Sequence, residues 1–366
     1  MSQQHELNDK LQKARAYLDA KNLHGMFLTR QNNFSWITCG GENRVVTASE
    51  AGAAAVFIGR DKACVVADNI ESPRLRLEEL NDIDLDVLEY PWYDDAARDR
   101  ILADLIAGGK AASDVGFNGT SRLERDFDEL KYALCEPEID RYRWLGRNCS
   151  LVIEKVCVEA KPDQPENEIA AMLAHEAMKM RITPTVILIA ADDRALHFRH
   201  PLPTDKKVKE HLMVVFCGRR WGLIASLTRI VRFGKPPADL LARHKAVCSV
   251  DATFILNSRP GAVTGEVLAK AMSAYQGFGH ADEWKLHHQG GPTGYDGRYY
   301  RVAPGDTRTL TANMAVAWNP SIAGTKSEDT ILCLETPEIL TPCHQWPTSQ
   351  YEAAGQAIFR PDILTA

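Results

Sequence analysis

Apolar positions along the chain fall into alternating stretches of helical and strand-like spacing. Residues 8–21 place Leu11, Ala14, Tyr17 and Leu18 on one helical face. Residues 25–28 form a short apolar run, and residues 53–58 and 63–67 read as two strands about a turn at 59–62. A strand-like segment at 113–117 closes this first region. A long helical segment, 139–158, stops at a proline-bounded break at 161–165. Residues 166–180 then put Ile169, Met172, Leu173, Ala177 and Met180 on one face. Strand-like runs follow at 185–190, 212–217 and 222–233. Two further helical segments, 238–255 and 264–275, precede strands near 299–302, 314–318 and 330–334. Two helices followed by strands, given twice, predict two similar halves packed face to face.

With 366 residues the chain is long enough for two domains. An apolar fraction of 45% and a charged fraction of 25% are those of an ordinary globular protein. The net charge of −6 supplies no footprint for nucleic acid or for an anionic membrane surface. The longest apolar runs are far too short to span a bilayer, and the polar start of the chain does not read as a secretory leader. The nine cysteines show neither paired nor metal-type spacing, which predicts reduced thiols and a cytoplasmic protein.

Four clusters can carry chemistry. Residues 195–204 hold His197 and His200 beside Pro201 and Pro203; residues 217–229 hold three arginines, Arg229 among them; residues 287–295 read HHQGGPTGY; and Asn319-Pro320 precedes Lys326, Ser327, Glu328 and Asp329. Each has a plain structural reading. The prolines can place the histidines in a surface loop, the double glycine can serve a turn needing positive φ, and the arginines and acids can be solvated strand charges. Four of eleven histidines in two short segments is nonetheless a concentration suited to general acid–base work near neutral pH.

In order and spacing these clusters resemble the motif series of the creatinase / prolidase / methionine aminopeptidase superfamily, the "pita-bread" fold. Glu136, Pro137, Glu138 and Ile139 resemble the start of the helix that opens its catalytic domain, and residues 161–171 its PGxxExEIA segment. Residues 33–38 stand where the N-terminal domain has NxxYLT. The resemblance implies an α+β chain: a creatinase-type N-terminal α/β domain over residues 1–133, a pita-bread catalytic domain over 134–343 and a C-terminal tail over 344–366.

Metalloenzymes of this superfamily hold two divalent ions through two Asp, one His and two Glu. The resemblance puts those positions at Phe216, Ser226, His288 (or His287 in an alternative register), Asn319 and Glu328, and a further family histidine at Tyr295. Only His288 and Glu328 remain as residual ligand positions, so no metal and no other cofactor is expected. His200, with Thr204 and Lys206 downstream, resembles the catalytic histidine segment of the metal-free creatinase branch, and His197 the LHY histidine of prolidases.

These correspondences imply His200 as general acid–base, with His197, His288 and Glu328 in the same cavity and Glu328 raising the histidine pKa. His288 and Glu328 would hold a polar or cationic substrate, with Arg229, Asn319, Tyr295 and His287 lining the pocket. The expected activity is metal-independent hydrolysis of a C–N bond in a small molecule or short peptide. The alternatives are a metal-dependent Xaa-Pro peptidase with atypical ligands and an inactive pita-bread binding protein. The resemblance also implies a homodimer, with no nucleic-acid or membrane partner.

Overall fold

The computed structural model describes residues 2–117 and 119–366. The chain divides into two compact units. One comprises residues through Lys131, with Cys135–Glu138 and Trp221–Leu223; the other comprises Tyr132–Leu134, Ile139–Arg220 and Ile224–Ala366.

The first unit runs α1 (Gln3–Ala20), β1 (Gly25–Arg30), α2 (Gln31–Ile37), β2 (Ala51–Gly59), β3 (Ala63–Asp68), a single turn α3 (Ser72–Arg74), β4 (Asp86–Tyr90), α4 (Asp95–Ile106), β5 (Ala111–Ser113) and β6 (Thr120–Arg122). Its described strands form one sheet in the order β4-β3-β2-β1-β5-β6. β1 pairs antiparallel with β2 and parallel with β5. Ser2 caps α1 through its side chain, which accepts from the His5 backbone N–H. One layer of the core packs Phe27 against Phe57, ring centroids 4.9 Å apart. The strand expected over 113–117 ends at Ser113, after which Gly116 takes positive φ.

The second unit begins its helix–strand series with α5 (Glu136–Glu159; residues from Ile139 belong to this unit) and α6 (Glu166–Lys179). It continues with β7 (Thr183–Ala191), a one-turn α7 (Arg194–His197), β8 (His211–Arg220) and β9 (Leu223–Arg232). The pattern then repeats as α8 (Ala238–Asn257), α9 (Thr264–Gly277), β10 (Gly290–Thr293), β11 (Ala315–Trp318), the small hairpin β12 (Ser321–Ile322) and β13 (Thr325–Lys326), β14 (Asp329–Leu332) and β15 (Glu338–Ile339). Helices α8 and α9 and strands β11 and β14 share a core in which Phe254 stacks on Trp318 at 4.5 Å. Two sheets, one containing β9-β8-β7 and the other β10-β11-β14-β15, meet where the Thr228 N–H donates to the Glu328 carbonyl and the Ser226 N–H donates to Thr330 Oγ1.

Two expectations change. Residues 299–302 run beside β10 without forming a strand; Tyr299 and Val302 N–H donate to the carbonyls of Pro292 and Gly290. This strap passes so close that a Cβ on Gly291 would lie 2.4 Å from the Tyr300 carbonyl oxygen, so only glycine fits there. Residues 344–366 are no separate tail. They supply β16 (Thr348–Ala353), β17 (Gln356–Pro361) and β18 (Leu364–Thr365), the last pairing parallel with β9. Buried Arg360 fastens this segment, pairing with Asp251 and Asp329 at 2.6 Å each.

Candidate active site

The segment that carries His200 leaves β7, makes the single turn α7 and returns toward β8 through Pro201 and Pro203. One buried carboxylate holds both ends of it. Glu166, in the first turn of α6, accepts from the Ala191 backbone N–H (2.7 Å), from the Thr204 N–H (2.9 Å) and from Thr204 Oγ1 (2.7 Å), and it also pairs with Arg194. Thr204 and the PGxxExEIA segment therefore act together: the loop is tied at its start and finish by one residue of α6.

At the far end of that loop His200 meets the HHQGG segment. His200 Nε2 lies 3.1 Å from His287 Nε2, and the ring centroids of His200 are 4.9 Å from His287 and 5.7 Å from His288. His287 is buried, while His200 is open to solvent. The other side of the His287 ring is fixed by Ser321 at the start of β12, with Nδ1 to Oγ at 3.1 Å. Asn319 presents Nδ2 to His287 Nε2 at 3.4 Å. Of the two Nε2 atoms one donates and the other accepts, and a neutral His287 that accepts there carries its proton on Nδ1, toward Ser321 Oγ. In that tautomer His200 keeps Nδ1 as its basic nitrogen.

Glu328 is buried beside this cluster with its own cations. Oε2 lies 2.6 Å from Lys326 Nζ and accepts from Thr228 Oγ1 at 2.7 Å, and Oε1 lies 3.4 Å from Arg298 Nη2. Burial pushes the Glu328 carboxyl up, but the Lys326 and Arg298 charges outweigh it and leave the group below its usual range. The imidazoles move the opposite way from the sequence-based expectation. Burial first, then the charge of Lys326, lowers His200; Glu328 pulls it upward without prevailing. Burial drives His287 far below its ordinary value. Burial and Arg298 together bring His288 down to about 4. Near neutral pH the cluster is therefore three neutral imidazoles beside a neutralised carboxylate, with Arg301 adding further positive charge.

Several expected site residues stand elsewhere. His197 ends α7 exposed, edge-on to Phe198, and among the described residues no hydrogen bond joins its ring to the cluster. Arg229 is fully buried, bound to Asp329 at 3.1 Å and to the Thr228 and Thr341 carbonyls, so it cannot line a pocket. Tyr295 is likewise buried, in the turn where Tyr299 Oη accepts from the Tyr295 N–H. Phe216 points away from the cluster: a Cβ on Gly218, two residues on, would lie 3.1 Å from the Phe216 ring and 2.6 Å from Cys149 Sγ. The residue of β8 that faces the site is Cys217, whose thiol lies 3.2 Å from Ser226 Oγ. Strand alternation decides between neighbours that motif spacing places one apart. Lys326, in the same sequence cluster, stands two before Glu328 on extended backbone, which puts both side chains on one side. Arg298 and Arg301 carry no sequence signal.

Residues 140–335 match the family model described as metallopeptidase family M24, which is more than half of the chain. The chain belongs to that family. Residues 10–144 of this M24 chain match the creatinase/prolidase N-terminal domain. No curated protein matches it by sequence. Among solved structures it is similar to the prolidase from Pyrococcus horikoshii OT3 (TM-score 0.78, 16% identity, 92% of this chain and 99% of that one). It is similar also to the Xaa-Pro dipeptidase from Bacillus anthracis (0.77, 15%, 98% and 100%). A third likeness is to the N-terminal domain of the FACT complex subunit SPT16 from chickpea (0.70, 9%, 93% and 97%). At these identities the likenesses establish the fold alone. Among the described residues of this M24 chain, the ligand nitrogens of His200, His287 and His288 lie within 4.8 Å of one another, an arrangement able to hold one ion. No described helix is long and apolar enough to cross a membrane.

Proposed function

We propose that this M24 chain hydrolyses a C–N bond in a small molecule or short peptide, with His200 as general acid–base and without the paired metals that the family description implies. The observation that carries this reading is the 3.1 Å contact between His200 and His287, backed by Ser321 and Asn319. A neutral His200 can take a proton from water at Nδ1, and the resulting imidazolium can return it to the departing nitrogen. Such proton transfer contributes roughly 10²–10⁴-fold. His287 holds the ring in one orientation by accepting its Nε2–H.

A pair of hard divalent ions does not fit the donors present. Such ions need several oxygen ligands, and paired sites need bridging carboxylates. Here Cys217, Ser226 and Asn319 face the site, burial keeps the Cys217 thiol protonated, and Lys326 lies against the one carboxylate. The same charges revise the substrate class. Glu328 is committed to Lys326, Arg298 and Thr228, so a cationic substrate has nothing to bind. Positive charge from Lys326, Arg298 and Arg301 favours a substrate bearing a carboxylate.

One observation favours a second reading, the convergence of three imidazole nitrogens, which suits a single borderline-soft ion such as zinc. A single experiment separates the two. The protein is dialysed against a chelator and assayed with Xaa-Pro dipeptides and N-substituted amino acids. Turnover that survives chelation and disappears in His200→Ala supports metal-free acid–base catalysis. Turnover that requires added zinc, manganese or cobalt overturns it, as does full activity of His200→Ala.

A further inference from the structure

The His200–His287 contact joins two segments that lie far apart in the chain: residues 192–204, between β7 and β8, and residues 278–289, between α9 and β10. Each is fastened separately. Glu166 holds Ala191 and Thr204, and the Ile189 N–H donates to the Pro201 carbonyl at 3.1 Å. In the other segment Gln289 donates to the His287 carbonyl at 2.6 Å. Buried Tyr275 donates to Gln289 Oε1 at 2.9 Å and accepts from the Ser321 N–H at 3.0 Å. None of these bonds crosses from one segment to the other. Among the described residues two side-chain hydrogen bonds do: His200 with His287, and Arg199 with Glu283.

The second link is placed to draw the histidines together. Arg199 immediately precedes His200, and Glu283 opens the single 3-10 turn, Glu283–Leu286, that runs directly into His287. The guanidinium donates from Nη2 to Glu283 Oε2, and the side chains are only 17% and 19% exposed. Neither makes another ion pair among the described residues. Both charges also reach the Tyr275 hydroxyl, so the pair lies against the group that fixes Ser321 and Gln289. A hydrogen bond between two neutral rings, one of them open to solvent, contributes about as much as the rotamer freedom that the exposed ring gives up. A charge-assisted guanidinium–carboxylate bond is roughly twice as strong as a neutral one. The ion pair is therefore the stronger of the two links.

We propose that the Arg199–Glu283 pair is the clasp that brings His200 to His287, which makes Arg199 and Glu283 positioning residues for proton transfer at His200. This rests on the reading of His200 as general acid–base. The pair acts by closing two separately fastened segments on each other, so that His287 holds the His200 ring in one orientation.

The full-length protein, with isotope-labelled histidine rings, is compared by NMR with Arg199→Gln, Glu283→Gln and the double variant. Each single variant should shift the His200 and His287 ring nitrogens toward the values of freely exchanging imidazoles. The double variant should shift them no further, because either substitution alone opens the clasp. The His244 ring, held by Thr325 at 2.7 Å and by the Pro361 carbonyl at 3.0 Å, should not move and reports an intact fold. Arg199→Lys, which keeps the charge, should leave the signals closer to wild type than Arg199→Gln does. Should one glutamine variant not fold, the other and Arg199→Lys carry the comparison. On any substrate that the wild type turns over, the single variants should lower kcat about tenfold with little change in KM, against roughly 10²–10⁴-fold for His200→Ala. Ring signals unmoved in both single variants overturn the proposal. So do shifts that add in the double variant, or a His244 signal that moves as far as that of His200. The NMR comparison needs no substrate, so failure of the clasp is read apart from failure of the acid–base reading, which shows as full activity of His200→Ala.

Discussion

Lys326 Nζ lies 2.6 Å from Glu328 Oε2, and both side chains are almost fully buried. Removing Lys326 leaves buried Glu328 with only the 3.4 Å contact to Arg298 as counter-charge, whereas removing both charges leaves only the less deeply buried Arg298 guanidinium. Lys326→Met should therefore lose about 3 kcal/mol of stability, and Lys326→Met with Glu328→Gln should recover most of it. Chemical denaturation of the two variants checks this. Equal destabilisation of single and double variants would show that the pair is not what holds the charges.

The Glu166 anchor makes a local prediction. Glu166→Ala frees the Ala191 and Thr204 N–H groups, the Thr204 hydroxyl and Arg194 together. Hydrogen exchange should rise over residues 192–204 while the β8 and β9 strands stay protected. Stability should fall by about 3 kcal/mol, the cost of breaking a buried charged network at one end. Uniform loss of protection across the second unit would mean that the anchor supports the core rather than the loop.

His211 yields a pH prediction with a definite sign. Its folded pKa is lowered to about 4, so on acidification the unfolded chain takes up this proton first, near pH 6.5. The unfolded state then binds more protons, and stability falls as pH drops from about 6.5 toward 4. At pH 5 the contribution is about 2 kcal/mol for this one group. The denaturation midpoint of wild type should fall relative to that of His211→Leu as pH goes from 7 to 5. A constant gap over that range would remove His211 from the acid response.

Ser321 acts on His200 through His287 and is a positioning residue. Ser321→Ala should lower kcat more than it raises KM and displace the acidic limb of the pH–rate profile. The fall should be smaller than the roughly 10²–10⁴-fold loss expected for His200→Ala. Steady-state kinetics across pH separate the two. An unchanged profile in Ser321→Ala would show that the His287 tautomer does not bear on the reaction.

Much of the fold was legible because its signals are local and repeat. The helices α5, α6, α8 and α9 carry apolar residues at helical spacing, and the strands β2, β3, β7, β8 and β9 are apolar runs bounded by turn residues. The strap at 299–302 was misread because its tyrosines have strand propensity, while its two backbone bonds to β10 are spaced for a loop. The C-terminal strands were missed because their pairing is long-range: β18 joins β9 across the sequence, and Arg360 finds Asp251 and Asp329 only in three dimensions. Within the site, the histidine-rich segments were visible as composition, and the contact of His200 with His287 follows from them. Arg229 was misplaced because an arginine before a strand end looks the same in sequence whether it is solvated or paired in the interior. Direction of side chains, and with it the exchange of Phe216 for Cys217, depends on strand parity and hairpin length together. The net field at the histidines was not legible either, since Arg301 arrives from the strap and Arg298 from the turn just before it.

The buried ammonium of Lys326 is joined to the backbone by covalent bonds, and that alters what the site can respond to. A counter-ion acquired from solution has an occupancy set by supply, competition and chelation. One encoded in the chain is present in every folded copy at fixed stoichiometry and arrives when β13 forms. It cannot be withdrawn by scarcity or swapped for a rival ion, so any control over this centre has to act through folding, protonation or ligands.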